Sequence, residues 1–254
     1  MTNTDISYSV ITGWYANHKT RDYKVYGNEF VRSVECFDLW YYCINKFTNP
    51  EKIFIIDANS PIQPKFPKND CINVIRMLRN HQHAAQSHTH LSGWSRTLLC
   101  GLMCGLANGS AYTVLIEQGS LFCGHDIIER EIEAYPDADI IVPTGTGTPQ
   151  PIQTGIMIFR NEIVTQFINN YFNILAHDSI VTPEKKCTLA AKDMKIAFSS
   201  LPFGRRRPID FNYQHMFIRH ANLEEIQHFI QKINYGADSL QTYMARCKAE
   251  LSHS

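Results

Sequence analysis

The chain has 254 residues, with 24 Lys and Arg against 24 Asp and Glu, so its formal net charge is zero. This balance argues against a sequence-independent nucleic-acid binder, which carries a basic excess, and against a protein held on anionic membranes by charge. Hydrophobic residues make up 44% and charged residues 19% of the chain, a composition that excludes a mainly disordered protein.

Targeting signals are also missing from the sequence. No apolar run reaches the roughly 18 to 20 residues of a membrane-spanning helix, and the N-terminal MTNTDISYSV has neither the basic start nor the apolar core of a signal peptide. We therefore expect a cytoplasmic protein with no transmembrane segment. The eight cysteines stand in apolar surroundings, where free thiols are expected in the absence of export.

Short apolar, β-branched runs alternate with longer amphipathic stretches, which is typical of a mostly parallel sheet covered by helices. In the first half, we predict strands at 7–12, 52–57, 72–77, 112–117 and 121–123, and helices at 27–47 and 94–107. Ser92 is the expected N-cap of the second helix, which Asn108 and Gly109 should close.

In the second half, we predict helices at 125–134, 162–175 and 222–233, and strands at 139–142 and 156–159. PTGTGTPQP is a turn-rich connection between the two strands. The pattern beyond about residue 180 is mixed, with a basic loop at 204–208. The sequence contains no repeat and no linker, so a single α/β domain spanning 1–254 is expected.

Polar or small residues follow three of the predicted strands: 12–15 (TGWY), 57–61 (DANSP) and 117–119 (EQG). Ligands of open α/β sheets bind beyond the carboxyl ends of the strands. A carboxylate there can accept hydrogen bonds from a base or ribose, or ligate a cation that neutralises a diphosphate. Alternatively, Asp57 caps a turn and Glu117 ends a strand. Together, the three segments favour a nucleotide site.

The order of these segments resembles that of glycosyltransferases of the GT-A fold. KIFIIDANSP is similar to the "vvDDgSp" segment that ends their second strand, and SGWSRTLLCGLMCGLANGSAYTVLIEQGS is similar to the helix and strand that lead to their Asp-x-Asp signature. The signature position is then Glu117-Gln118-Gly119. PIQTGIMIFRN is similar to "fNtGvmlfr", which begins their acceptor half. The resemblance covers about residues 7–160.

This resemblance implies a Rossmann-like, mostly parallel sheet flanked by helices, with a nucleotide-binding half at about 1–123 and a mixed acceptor-binding half at about 124–254. It implies transfer of a hexosyl or deoxyhexosyl group from a nucleotide-sugar donor to a hydroxyl of a glycan or lipid-linked acceptor; nucleic acid is not an expected partner. The site residues it suggests are, for the nucleotide, Thr12, Gly13, Tyr15, Asp57, Arg96 and Gly119; for the acceptor, Thr154, Gly155 and His215; and for catalysis, Glu117 and Asp210.

The signature position departs from the family pattern, because Gly119 stands where a second carboxylate is expected. In the family, these carboxylates hold Mn²⁺ or Mg²⁺ against the diphosphate. Glu117 then holds the metal with help from elsewhere, cationic side chains replace the metal, or catalysis is lost. The candidate cations are Arg96, near a helix N-terminus, and Arg205 to Arg207. Alternatively, Arg96 is an ordinary arginine on a helix surface, and Arg205 to Arg207 belong to a solvated loop.

Histidines are concentrated between residues 81 and 90, as His81-x-His83 and His88-x-His90. Two such pairs can bind zinc, but neither Cys nor a carboxylate completes the set. A polar loop, or a loop that contacts the sugar or diphosphate, is therefore favoured over a zinc site. His215 and His220 are further candidates for the site.

Two other functions fit the same segments. The first is a non-catalytic nucleotide or sugar binder of the same fold, which Gly119 suggests. The second is a nucleotidyltransferase, which is disfavoured because a Gly-rich, basic loop should follow the first strand. Here TGWYANHKTR has one glycine, with Lys19 and Arg21 further on.

Overall fold

The computed structural model describes residues 6–17 and 27–251, with the side chains of 249–251 left out; Lys19 and Arg21 lie outside these ranges. Ten strands and seven α-helices are described. The strands are β1 (Tyr8–Trp14), β2 (Lys52–Asp57), β3 (Ile72–Arg76), β4 (Tyr112–Ile116), β5 (Ser120–Cys123), β6 (Ile140–Pro143), β7 (Ile156–Arg160), β8 (Ile196–Ser199), β9 (Phe203–Gly204) and β10 (Met216–Arg219). The helices are α1 (Cys36–Phe47), α2 (Gly93–Asn108), α3 (Ile127–Ala134), α4 (Asn161–Phe172), α5 (Pro183–Ala190), α6 (Leu223–Lys232) and α7 (Asp238–Leu251).

Seven strands form the large sheet, in the order β3-β2-β1-β4-β7-β6-β8. Strand β7 runs antiparallel to its neighbours β4 and β6, and the other neighbouring pairs are parallel. The predicted α/β class and mostly parallel sheet are therefore confirmed. Because β1, β2 and β4 are parallel, the three predicted polar segments lie at one edge of this sheet.

A second sheet has three strands, in the order β5-β10-β9. Strand β10 pairs antiparallel with β5, and in this register Arg219 lies opposite Ser120. Ser120 follows directly after the 117–119 segment. The small sheet thus brings the end of β10 to the carboxyl edge of the large sheet.

The two faces of the large sheet carry two separate apolar clusters. Successive strand residues point to opposite faces, so Val10 packs in one cluster with Phe37 and Trp40 of α1, whereas Ile11 packs in the other with Leu102 of α2. Helices thus cover both faces, as a doubly wound sheet requires.

Helix α2 begins and ends where the sequence predicts. The Ser92 side chain accepts a hydrogen bond from the Ser95 amide, and Gly109 closes the helix in the left-handed region at φ 80°. The buried carboxylate of Asp178 accepts hydrogen bonds from the Ser92 amide at 2.8 Å and the Ser95 hydroxyl at 2.5 Å. Lys186 lies 2.7 Å from the same carboxylate and also has no exposed side-chain surface.

The predicted helix at 27–47 is wrong over residues 27–35. Asn28 caps a 3-10 turn at Glu29–Arg32, Ser33 is extended, and the α-helix covers only Cys36–Phe47. Apolar residues at helical spacing continue through this break, so the periodicity did not reveal it. Strand β1 also runs two residues past its predicted end at 12, to Trp14.

Other predicted elements occur with ends shifted by a few residues; the helix predicted from 125 begins at Ile127, after Asp126 in the left-handed region. Helices α5 and α7 and strands β8, β9 and β10 lie in the region described as mixed and were not predicted. They are short, or weakly patterned in the sequence. Among the described residues, no helix is both long and apolar enough to cross a membrane.

Candidate functional site

A cavity of about 400 Å³ lies at the carboxyl edge of the large sheet. This is within the size range of small-molecule sites. Its lining combines aromatic side chains, neutral polar groups and cations from both halves of the chain: Gly13, Trp14, Tyr15, Asn17, Arg32, Ala58, Asn80, Gln82, His83, Gln86, Gly93, Trp94, Thr97, Leu98, Leu115, Glu117, Gln118, Gly119, Arg219 and His220.

Glu117 lies at the centre of a closed polar network in this cavity. Its Oε1 accepts hydrogen bonds from the Trp94 indole at 2.9 Å and the Thr154 hydroxyl at 2.7 Å. Its Oε2 forms an ion pair with the Arg219 guanidinium at 2.5 Å, with both side chains largely buried. Arg219 also donates to Thr154 at 3.1 Å. Both carboxylate oxygens are therefore engaged by protein donors.

Gly13 lets α2 approach the end of β1. A Cβ at this position would lie 2.3 Å from Thr97 Oγ1, which is closer than real side chains allow. Trp94 and Thr97 of α2 consequently reach the cavity beside Tyr15. The Tyr15 amide donates to the Gln118 side chain at 3.0 Å, which ties the segment after β1 to the segment after β4.

The N-terminus of α2 also borders the cavity, but its first backbone donors bind protein groups. The Gly93 amide donates to Gln82 O at 3.0 Å, the Ser95 amide to the Ser92 side chain, and the Ser92 amide to Asp178. The helix N-terminus therefore offers a phosphate little of the backbone hydrogen bonding that the sequence suggests.

The Asp57 carboxylate stabilises the loop that follows β2. It is 1% exposed; one oxygen accepts from the Ser60 amide and hydroxyl, and the other from Gln63 at 3.0 Å, with Arg76 at 3.5 Å. The Ser60 hydroxyl in turn accepts from the Ala16 amide. At this strand end the cavity is lined by Ala58. The turn-capping reading of Asp57 thus describes its contacts, and its nucleotide-binding role stays a prediction.

The arginines that the sequence suggests as substitutes for the metal, Arg96 and Arg205 to Arg207, do not line the cavity. Arg96 donates to the Leu91 carbonyl at 3.1 Å; burial, together with the positive charges of Arg96 and Arg79, lowers the pKa of His81. Arg205 pairs with Glu184 at 3.6 Å. None of Arg96, Arg205, Arg206 and Arg207 is among the lining residues within the described part of the chain.

Arg207 nevertheless contacts the backbone of a residue that lines the cavity. Its guanidinium donates to the Arg219 carbonyl at 3.0 Å and forms an ion pair with Glu225. It therefore holds the end of β10, the strand that carries Arg219.

Some of the remaining predicted residues line the cavity and others do not. The cavity is lined by Gly13, Tyr15, Glu117 and Gly119. Thr154 donates to Glu117 and accepts from Arg219, and Gly155 lies beside the Arg219 side chain. Thr12 is buried, with its hydroxyl 3.4 Å from the Gly13 carbonyl. Asp210 is exposed on the loop after β9, and its carboxylate accepts from the Asn212 amide.

His215 stands at the start of β10, with Nε2 3.2 Å from the His125 carbonyl. Neither Asp210 nor His215 is among the described residues that line the cavity. Their catalytic and acceptor roles stay predictions.

Part of the histidine-rich loop lines the cavity; its contact with a sugar or diphosphate stays a prediction. Asn80, Gln82 and His83 line the cavity, and His83 Nδ1 accepts from the Ala85 amide at 3.2 Å. Within the described residues, no group of three or more His, Cys, Asp or Glu side chains could hold a metal ion.

Sequence reasoning missed two cationic lining residues, Arg32 and Arg219. Arg32 Nη2 lies 3.3 Å from His220 Nδ1; because a guanidinium can only donate, the histidine nitrogen accepts. A signal for Arg219 existed in MFIRH, an apolar run ended by polar residues like those after the other strands. Its strand was simply not predicted.

No protein-family model matches the chain, and no curated protein sequence matches it either. Solved structures do match. WbbM, a bifunctional glycosyltransferase in its apo form, has a TM-score of 0.54 and 10% identity, covering 96% of this chain and 52% of that chain.

Two weaker matches belong to different enzymes. The 4-diphosphocytidyl-2C-methyl-D-erythritol synthase of Anaerococcus prevotii DSM 20548 has a TM-score of 0.48 and 13% identity, covering 77% of this chain and 87% of that chain. The mannosyltransferase PcManGT of Pyrobaculum calidifontis, solved with GDP-Man and Mn²⁺, has a TM-score of 0.47 and 10% identity, covering 75% and 54%. The chain thus spans about half the length of the WbbM and PcManGT chains. At these identities the likeness concerns the fold alone.

Proposed function

We propose, from the premise that this chain has the fold of GT-A glycosyltransferases, that it transfers a sugar from a nucleotide-sugar donor to a hydroxyl of a glycan or lipid-linked acceptor. The observation that carries the proposal is the cavity at the carboxyl edge of β1, β2 and β4. Ligands of open α/β sheets bind at this edge. Fold alone does not determine function, so the argument rests on what the cavity offers.

The cavity contains the groups that a nucleotide-sugar requires. Tyr15 and Trp94 supply ring surface for a base or sugar, whereas the Trp14 ring is 1% exposed and packs against Phe37 and Trp40 in the core. The described lining residues include two arginines, Arg32 and Arg219, and one carboxylate, Glu117. An excess of positive charge in a partly buried cleft favours a diphosphate.

The reaction needs a positioned donor and a stabilised leaving group. The bond between the anomeric carbon and the diphosphate oxygen breaks, and its electron pair leaves with the nucleoside diphosphate. The acceptor oxygen forms the new bond to carbon and releases its proton to a general base or to water. Fixed cations beside the diphosphate lower the barrier because the negative charge on the leaving group grows in the transition state.

A non-catalytic binder remains the second candidate, and one observation favours it. Glu117, the only carboxylate among the described lining residues, is already paired with Arg219, so the cavity shows no carboxylate ready to accept a proton. Binding without turnover would identify this function.

The testing experiment measures thermal stability with a panel of nucleoside diphosphates and nucleotide-sugars, each with Mn²⁺ and with EDTA. A ligand of the folded state raises the unfolding midpoint by mass action. We expect one nucleotide to raise it more than the others, and its sugar conjugate to be consumed when acceptors are added. The absence of a shift with every nucleotide, on folded protein, would contradict the proposal. A shift without consumption would favour the non-catalytic binder.

A further inference from the structure

We infer that the Arg219 guanidinium takes the role that the fold family gives to a divalent cation, so that the nucleoside diphosphate binds here without a metal ion. This inference rests on the proposed function and deepens it, because it names the group that neutralises the diphosphate. It is carried by the donor set around Glu117.

That donor set does not fit a divalent cation. Mg²⁺ and similar ions need several oxygen ligands with available lone pairs. Glu117 Oε1 already accepts two hydrogen bonds, and Oε2 lies 2.5 Å from an arginine nitrogen. The third signature residue, Gly119, has no side-chain ligand. A cation beside Oε2 would also stand next to the Arg219 positive charge, and that repulsion is strong where solvent is scarce.

Arg219 has the chemistry that the missing cation would supply. It lines the cavity with a 9% exposed side chain, and the contacts described for it use one N–H toward Thr154 and one toward Glu117. A guanidinium has five N–H donors, is always charged, and matches phosphate oxygens in two-pronged contacts. It can therefore keep its carboxylate partner and still bind phosphate.

The surrounding residues fix Arg219 in place before any ligand binds. A Cβ at Gly155 would lie 3.1 Å from Arg219 Cδ and 2.8 Å from Ser120 Oγ, so the glycine makes room for the arginine stem. Arg207 holds the Arg219 carbonyl from the other side. Such pre-organisation is what makes a fixed charge effective at a developing anion.

The test uses the nucleoside diphosphate that gives the largest thermal shift in the panel, titrated by calorimetry in EDTA and in Mn²⁺. For the native chain we expect the same affinity in both buffers. Arg219→Gln should weaken binding about 10- to 100-fold, the range for one or two charge-assisted hydrogen bonds. Arg219→Lys should recover part of the loss. The matched control is Arg160→Gln, because this arginine pairs with Tyr112 at the opposite edge of the sheet.

Arg219→Gln leaves Glu117 without a counter-charge, so a second variant guards against misfolding. Glu117→Gln/Arg219→Gln removes both charges and should fold, yet still bind weakly. Gly119→Asp/Arg219→Gln places a carboxylate where a Cβ has 3.5 Å to its nearest neighbour, Val31. In that variant we expect Mn²⁺ to strengthen nucleotide binding.

The outcomes separate the two proposals. Binding to the native chain that requires Mn²⁺, or full affinity in folded Glu117→Gln/Arg219→Gln, would overturn the role of Arg219 while leaving the proposed function intact. No nucleotide binding in either buffer would overturn the proposed function and this inference with it. Metal-independent binding lost with Arg219 supports both.

Discussion

Two glycines of this site, Gly13 and Gly119, differ in the space that an added side chain would have. At Gly13, a methyl group would meet Thr97 Oγ1 at 2.3 Å and Thr97 Cβ at 2.9 Å, and Thr97 is a stiff β-branched residue of α2. At Gly119, the nearest atom to an added Cβ is Val31 Cγ2 at 3.5 Å, an ordinary contact. The first glycine is a requirement of packing, whereas the second leaves space.

We therefore expect Gly13→Ala to lower the free energy of unfolding by about 1–3 kcal/mol, because α2 must shift away from β1. Gly119→Ala, the matched control, should change it by no more than about 0.5 kcal/mol. Urea unfolding of the two variants measures the difference. Equal stabilities would show that α2 adjusts without cost, contrary to this prediction.

Glu117 lies at the strand end where the sequence predicts it, but the sequence does not reveal its partners. The sequence places it after a strand at the signature position, and the structure places it in the cavity. Its partner Arg219 is 102 positions further along and is paired with it at 2.5 Å only through the tertiary fold. Local spacing carries no information about a contact at that separation.

At the scale of the element, helix α2 depends on a buried ion pair outside the cavity. Asp178 accepts hydrogen bonds from two residues of the helix N-terminus, Ser92 and Ser95, and Lys186 of α5 neutralises it. Lys186 also donates to the His90 carbonyl at 2.6 Å. The pair therefore joins α2, α5 and the histidine-rich loop that lines the cavity.

Lys186→Met should destabilise the protein by about 3–5 kcal/mol, since it leaves a buried carboxylate without its counter-charge. The double variant Lys186→Met/Asp178→Asn, which removes both charges, should lose less. Chemical denaturation of the three proteins tests the coupling. If the single and double variants were equally unstable, the loss would come from packing rather than from the unpaired charge.

The same pair predicts a pH dependence. Burial by itself raises the pKa of Asp178, but hydrogen bonds from Lys186, Ser92 and Ser95 outweigh it, and the pKa of Asp178 lies below its usual value. A depressed pKa means that the folded state binds the proton less tightly than the unfolded state. The stabilisation is thus fully present above the unfolded pKa of about 3.9 and is lost as the pH falls through the folded pKa.

Acid unfolding curves of the native chain and Asp178→Asn check this expectation. The native chain should lose stability more steeply below about pH 4 than the variant, which has no carboxyl to protonate there. Parallel curves for the two proteins would mean that other carboxyls dominate the acid transition.

At the scale of the whole molecule, the cavity is assembled from distant parts of the chain. Lining residues come from the ends of β1 and β4, the loop at 80–86, the 3-10 turn at Glu29–Arg32, and the end of β10. Four segments of the first half thus meet one segment of the second. The division into a nucleotide half and an acceptor half stays a prediction. Arg219 belongs to the predicted acceptor half but lines the same cavity as residues of the nucleotide half.

A nucleoside diphosphate should therefore protect separate regions at once. We expect slower amide hydrogen exchange in residues 80–92 and in 216–220 when the nucleotide is bound, because ligand binding suppresses local opening. Helix α3, none of whose residues lines the cavity, serves as an internal control and should exchange unchanged. Protection confined to one of the two regions would contradict a site that uses both.

The sequence by itself determined the positions of the strands in the first half of the chain, the caps of α2, and the polar residues that follow three of those strands. These features depend on local patterns: apolar periodicity, Ser92 and Gly109 at the helix ends, and polar residues after strands. The tertiary structure alone decided which of those residues face the cavity. The Asp57 carboxylate binds groups of its own loop, Arg96 donates to the Leu91 carbonyl, and Arg219 forms an ion pair with Glu117. The contact between Arg219 and Glu117 depends on how the two sheets lie relative to each other, and no local spacing encodes that.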